Sequence, residues 1–202
     1  MTIPRIYLTA GHQVINGKGT GASSPYGDEA VLALVLRDDL AAELRKLGHS
    51  VITDPPADPL RVVLRWLRSV VSSKDILIDI HFNAAANPEA HGTEVIIPSS
   101  YTAREVELGR YLAASIADAL GTRLRRGKMI YPGVKTEEET QHKTIGILRG
   151  PFQPANALLE VCFLTNFGDM EKYWTGRPKL IRNLTTAIDD FMAGRKTIYS
   201  AA

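Results

Sequence analysis

The sequence predicts an α/β protein: a single domain built on a mixed, twisted sheet of about six strands with helices on both faces. Short apolar runs of β type alternate with long stretches of helical periodicity. The 202 residues, 45% hydrophobic and 23% charged, are what one medium-sized core requires. No internal repeat and no long linker divides the chain, so residues 1–202 read as a single domain.

Residues 6–9, 50–53, 75–80, 93–97, 144–148 and 157–163 read as the strands. The first helix spans 28–47, with Val31, Leu32, Val35, Leu36, Leu40, Leu44 and Leu47 at helical spacing before Gly48 ends it. The second, "DPLRVVLRWLRSVVSS", places Asp58 as cap and Pro59 at the first helical position, where a missing amide does no harm. The third begins at Thr102, whose hydroxyl caps while Glu105 reaches back, and ends before Gly121. The last covers 178–192 and stops at Gly194. Residues 130–143, "IYPGVKTEEETQHK", are too polar for core and long enough to form a mobile flap beside a crevice; a solvated acidic loop is the plainer alternative.

Composition excludes several function classes. A net charge of +2 argues against a nucleic-acid partner, and the basic run "RLRRGK" at 123–128 reads most simply as a solvated loop. The lone Cys162 excludes an internal disulfide. Arg5 precedes only a three-residue apolar run, too short for a secretion signal or a membrane span, so synthesis in the cytoplasm and no membrane insertion are expected.

In open α/β sheets ligands bind beyond the carboxyl ends of the strands. His12 lies just past the first strand, His81 closes "DILIDIH", and Glu160 sits within "ALLEVCF". Glu29 falls in the first turn of the first helix, where free amides favour a carboxylate. Two imidazoles and a carboxylate form the set that catalytic zinc takes when one position stays open for water. Spacing alone leaves the bland readings standing: a turn histidine, and a glutamate placed only for the dipole. Glu160 resists them, because a carboxylate amid apolar neighbours is expensive to bury unless it is paired or used.

These residues resemble the zinc-dependent N-acetylmuramoyl-L-alanine amidases of the type-3 class, the catalytic domains of bacterial autolysins and phage endolysins, with a phosphorylase/hydrolase-like fold. "AGHQ" is similar to the family's Gly-His motif, "GDEAVLAL" to its helix-head Glu, and "IDIHFNAAAN" to its Ser-x-His-x-Asn-Ala motif. "HGTEVII" stands where the family has a Gly-x-Glu strand, and "GILRGPFQPANALLEVCFLTNFGD" resembles its closing segment. The resemblance implies His12, Glu29 and His81 as ligands of one zinc ion, Glu160 as the catalytic carboxylate and Asn83 as a supporting residue. Thr9, Asp79 and Cys162 depart from the family pattern, at positions where an acidic residue, a Ser and a Gly are usual. Strand alternation puts Asp79 on the face of His81 and Asn83, where it could bond a ligand ring or cap a turn. Cys162 would share the face of Glu160 and is read as core, and His49 as surface. His142, and less so His91, are candidates for touching substrate.

The implied reaction is hydrolysis of the amide between N-acetylmuramic acid and L-alanine in peptidoglycan, with zinc acidifying a water and Glu160 carrying its proton. Arg123, Arg125, Arg126 and Lys128 could hold that anionic polymer if they face the crevice. The expected partner is peptidoglycan, with no nucleic acid, and the expected state a monomer. A phage lysin released through membrane lesions, or a component of a phage-like particle, fits better than a secreted autolysin. A related zinc carboxypeptidase or amidohydrolase, or a non-catalytic wall-binding component, remains the alternative.

Overall fold

The N-terminal apolar run forms β1 (Ile6–Ala10) in the computed structural model, which describes residues 3–149 and 154–199. Two small hairpins follow, β2 (Val14–Ile15) with β3 (Lys18–Gly19) and β4 (Ser23–Ser24) with β5 (Gly27–Asp28). Then come α1 (Glu29–Lys46), β6 (Val51–Thr53), α2 (Leu60–Val70), β7 (Ile76–Asn83), β8 (Glu94–Ile97) and α3 (Ala103–Leu120). The chain ends with β9 (Val134–Thr136), β10 (Ala155–Phe163) and α4 (Phe167–Met192). The main sheet has six strands in the order β6-β1-β7-β10-β8-β9. β6, β1, β7 and β10 are parallel, whereas β8 runs antiparallel to β10 with β9 parallel to it, so the sheet is mixed as expected.

Alternation along the strands divides the core in two. Ile6, Leu8, Ile76, Ile78 and Ile80 face α1, α3 and α4 in the larger cluster. Tyr7, Leu77, Ile96 and Leu158 face the other way, against Val63 and Leu67 of α2 and against Ile147. Helices therefore cover both faces, unequally. At the caps, Thr102 and Glu105 form the expected reciprocal box, and Gly121 closes α3 at φ 63°, a conformation open to a residue without Cβ.

Four expectations need correction. Residues 144–148 are no strand: the glycine between two isoleucines lets the chain turn into one 3-10 turn, Gly146–Leu148, that buries Ile147 and Leu148. The sixth strand comes instead from the supposed flap. Val134 is fully buried in β9, 3.2 Å from where a Cβ on Gly109 of α3 would stand, and Val95 N donates to Gly133 O at 2.7 Å. α4 begins at Phe167 with Asn166 as cap and carries Pro178 inside, because packing along α3 holds a helix that tolerates one missing amide. α2 is capped by Pro59, and Asp58 makes no capping bond.

Candidate active site

β1 ends in a tight turn in which Gly11 N donates to Ile80 O at 2.8 Å and His12 takes a positive φ of 67°. A side chain rarely accepts that conformation, and such backbone is held only where its surroundings determine it. Glycines make room for both imidazoles: a Cβ on Gly11 would stand 2.3 Å from the His81 ring, and one on Gly21 2.5 Å from the His12 ring. Glu29, at the head of α1, bridges them. Its Oε2 lies 3.0 Å from His12 Nε2 and its Oε1 2.9 Å from His81 Nδ1. Ala22 N also donates to Oε2 at 3.0 Å, which fixes the carboxylate's rotation. Burial alone would raise the Glu29 carboxyl, but the bonds to His12 and His81 outweigh it and hold the group well below the usual carboxylate range.

Behind His81 stands Asp79, with Oδ2 3.0 Å from His81 Nε2. Its other oxygen accepts from Thr9 Oγ1 at 2.6 Å, and Thr9 and Asp79 are register partners on adjacent strands. Burial opposes a charge on His81, yet Asp79 and Glu29 together hold its pKa well above the ordinary value. Nδ1 thus faces Glu29 while Nε2 is tied to Asp79. That arrangement orients an imidazole for a metal on its Nδ1 side.

Glu160 pairs in register with His81 on one side and with Glu94 on the other. Its Oε2 is buried without a hydrogen-bond partner among the described residues. Burial pushes this carboxyl up to about 8; His81 opposes the rise, and Glu29, Glu94 and Asp79 add to it. A bulge after Glu160 turns Cys162 away into the core beside Met170, so it does not share the site's face. Asn83 does not bond the three-residue cluster: its Nδ2 donates to Glu94 Oε1 at 2.9 Å. Glu94 also holds Arg125 at 2.8 Å and Lys135 at 2.6 Å, a neutralised group beside Glu160 that the sequence reading passed over. Its signal was present in "HGTEVII", a carboxylate heading an apolar strand.

These groups open into a cavity of about 790 Å³ that runs from His12, Glu29, His81 and Glu160 to Leu60, Val63, Ile145 and Ile147. Of the supposed flap, only Gln141 and His142 border it; the middle belongs to the sheet. His91 bonds Glu89 O and lies outside the cavity lining, and His49 pairs with Asp189. None of Arg123, Arg125, Arg126 and Lys128 lines the cavity, and Arg125 is committed to Glu94. Residues 150–153 of the closing motif lie outside the described residues.

The donor set fits zinc. His12, Glu29 and His81 offer ligand atoms within 4.8 Å of one another. Ligand atoms around a tetrahedral zinc stand about 3.3 Å apart, close to the separations the protons of these hydrogen bonds now span. The free oxygen of Glu160 is the polar atom left over beside them. No described helix is long and apolar enough to cross a membrane.

A family profile described as N-acetylmuramoyl-L-alanine amidase matches residues 6–190. Among solved structures, one described as an N-acetylmuramoyl-L-alanine amidase from Neisseria meningitidis is 28% identical, with a TM-score of 0.73 over 96% of this chain and 98% of that one. Two others are likenesses of fold. An N-acetylmuramoyl-L-alanine amidase from Clostridium difficile 630 is 21% identical, with a TM-score of 0.75 over 96% of this chain and 100% of that one. The catalytic domain of an endolysin targeting Clostridia difficile is 24% identical, with a TM-score of 0.63 over 96% of this chain and 99% of that one. A search of curated proteins finds no match.

Proposed function

The chain belongs to the N-acetylmuramoyl-L-alanine amidases, and on that footing we propose that it hydrolyses the amide joining N-acetylmuramic acid to L-alanine in the peptidoglycan of bacterial walls. The observation that carries this reading is one carboxylate, Glu29, bridging two imidazoles, with a second, buried and unpartnered carboxyl on the strand beside His81. His12, Glu29 and His81 would hold zinc, and Glu160 would do the proton work.

Zinc held there would supply Lewis acidity, enough to acidify a water and polarise an amide carbonyl. Glu160 accepts the water's proton on its free oxygen and then delivers it to the departing amine of alanine, so that one residue serves as base and then acid. The burial that raises its affinity for protons suits both tasks. Asp79 keeps Nδ1 of His81 directed at the cluster, and Thr9 keeps Asp79 in place. Glu94, neutralised by Arg125 and Lys135, carries the bonds that hold Asn83. The cavity's apolar wing, from Leu60 to Ile147, shelters the peptide from water, and His142 stands at its edge.

Digestion of purified sacculi tests the reading. New L-alanine amino ends are expected without new reducing sugar ends, and chelation is expected to abolish their release. Appearance of amino ends from another residue would instead favour a carboxypeptidase or related amidohydrolase. No release at all, with binding retained, would favour a non-catalytic wall component.

A further inference from the structure

α2 contains no acidic residue, and its three arginines, Arg61, Arg65 and Arg68, are spaced by four and three positions. Such steps return to one side of a helix. All three are exposed. Several other arginines are held by carboxylates: Arg5 by Asp75, Arg37 by Asp54, Arg125 by Glu94 and Arg195 by Asp190. Among the described residues, no carboxylate or carbonyl holds the arginines of α2. Since the chain's net charge is +2 in all, these three charges leave the rest of the protein net negative. Three positive charges without an acidic partner thus lie along about 10 Å of one helix.

Position gives that stripe a meaning. α2 starts at the cavity rim, where Leu60 and Val63 form part of the wall, and Arg61 lies between them in sequence. The opposite side of the helix is spent on the sheet, with Val63 and Leu67 buried against the cluster of Tyr7 and Leu77. A helix that binds a bilayer inserts an apolar face beside its basic one; here that face is already covered. What α2 offers outward is charge, along a line leading away from the site.

We propose that Arg61, Arg65 and Arg68 form a second binding surface, outside the cavity, for carboxylates on uncleaved stem peptides of the same peptidoglycan strand. The inference rests on the substrate proposed above, because only a polymeric substrate has charged neighbours beyond the bond in the cavity. It assigns α2 the retention of a polymer and leaves cleavage to the cavity. Salt weakens such contacts and their number strengthens them.

The test compares an Arg61→Gln/Arg65→Gln/Arg68→Gln protein, and its all-Lys counterpart, with the parent. In a Glu160→Gln background, which binds without cutting, co-sedimentation with intact sacculi is expected to weaken about tenfold in the Gln protein, to lose most of its salt dependence, and to recover with Lys. In the active background, kcat/KM on a soluble disaccharide-peptide is expected to stay within about twofold of the parent, while cleavage of sacculi at low protein concentration falls about tenfold. Equal sacculus binding by parent and Gln proteins would overturn the proposal, as would an equal loss on the soluble fragment. Stripe-dependent binding to phosphatidylglycerol vesicles, with none to sacculi, would overturn it in favour of a membrane surface. If the parent cuts neither substrate, the proposed function fails separately, since sedimentation reads the stripe without turnover.

Discussion

Glu29 and Glu160 carry the same functional group beside the same imidazole, and their surroundings drive them in opposite directions. Two imidazoles hold Glu29 ionised, whereas burial pushes Glu160 up to about 8. Replacing Glu160 by Gln is therefore expected to leave zinc content near the parent's while turnover falls by roughly 10²–10⁴-fold. Glu29→Ala is expected to lose metal and to regain part of its activity at high zinc. Metal analysis beside amide hydrolysis for both proteins decides the division, and a Glu160→Gln protein that loses its metal would refute it. Asp79 acts one step further out. Asp79→Asn keeps the side chain's size but removes the charge that Nε2 of His81 meets, and zinc affinity is expected to fall by roughly 10–100-fold in a competition titration with a chelator. His12, Glu29 and His81 were readable as candidate ligands through the family resemblance, and the structure brings their side chains together. Glu94 was not singled out, because a strand-head glutamate has many uses and its two basic partners come from distant positions, Arg125 and Lys135.

α1 and α3 were legible because their caps and periodicity agree; α4 and β9 were not, because each depends on contacts far along the chain. Pro178 looks like a beginning when read locally, yet the helix starts at Phe167 and passes through it. Val134 looks like part of a polar loop, yet one buried side chain and the exposed edge of β8 suffice for a short strand. The head of α4 is anchored by Asp169, whose Oδ2 accepts from Gly92 N at 2.8 Å and Phe163 N at 2.9 Å. That one carboxylate joins α4, the end of β10 and the approach to β8. Asp169→Ala would leave two buried amides unpaired, and a loss of about 2–5 kcal/mol is expected in urea unfolding. Metal affinity is expected to weaken with it, since β10 carries Glu160 and its neighbour β7 carries His81.

For the whole molecule, acid is expected to act on the fold through carboxyls set far from the cavity. Asp75 accepts from Arg5 N at 2.8 Å and from Ser72 N at 2.7 Å. Burial would raise its pKa, but these bonds and the Arg5 guanidinium lower it. A folded pKa below the unfolded value of about 3.9 means that the contribution is complete above that pH and is lost as pH falls through the folded pKa. Urea midpoints measured between neutral pH and pH 2 are expected to fall less steeply for Asp75→Asn than for the parent. The fold class was legible from the alternation of runs, but the order of strands was not, because alternation says nothing of which strand inserts where. Here the last strand in the sequence, β10, lies in the interior of the sheet between β7 and β8. During synthesis, chains emerge from the N-terminus, so β7 and β8 are made long before the strand that separates them. Until it arrives, both present open edges that can pair wrongly. Glu160, the proposed proton carrier, comes in on that same strand. On the roles proposed, a nascent chain would hold His12, Glu29 and His81 before it holds Glu160, and would become competent to cut only when its sheet closes.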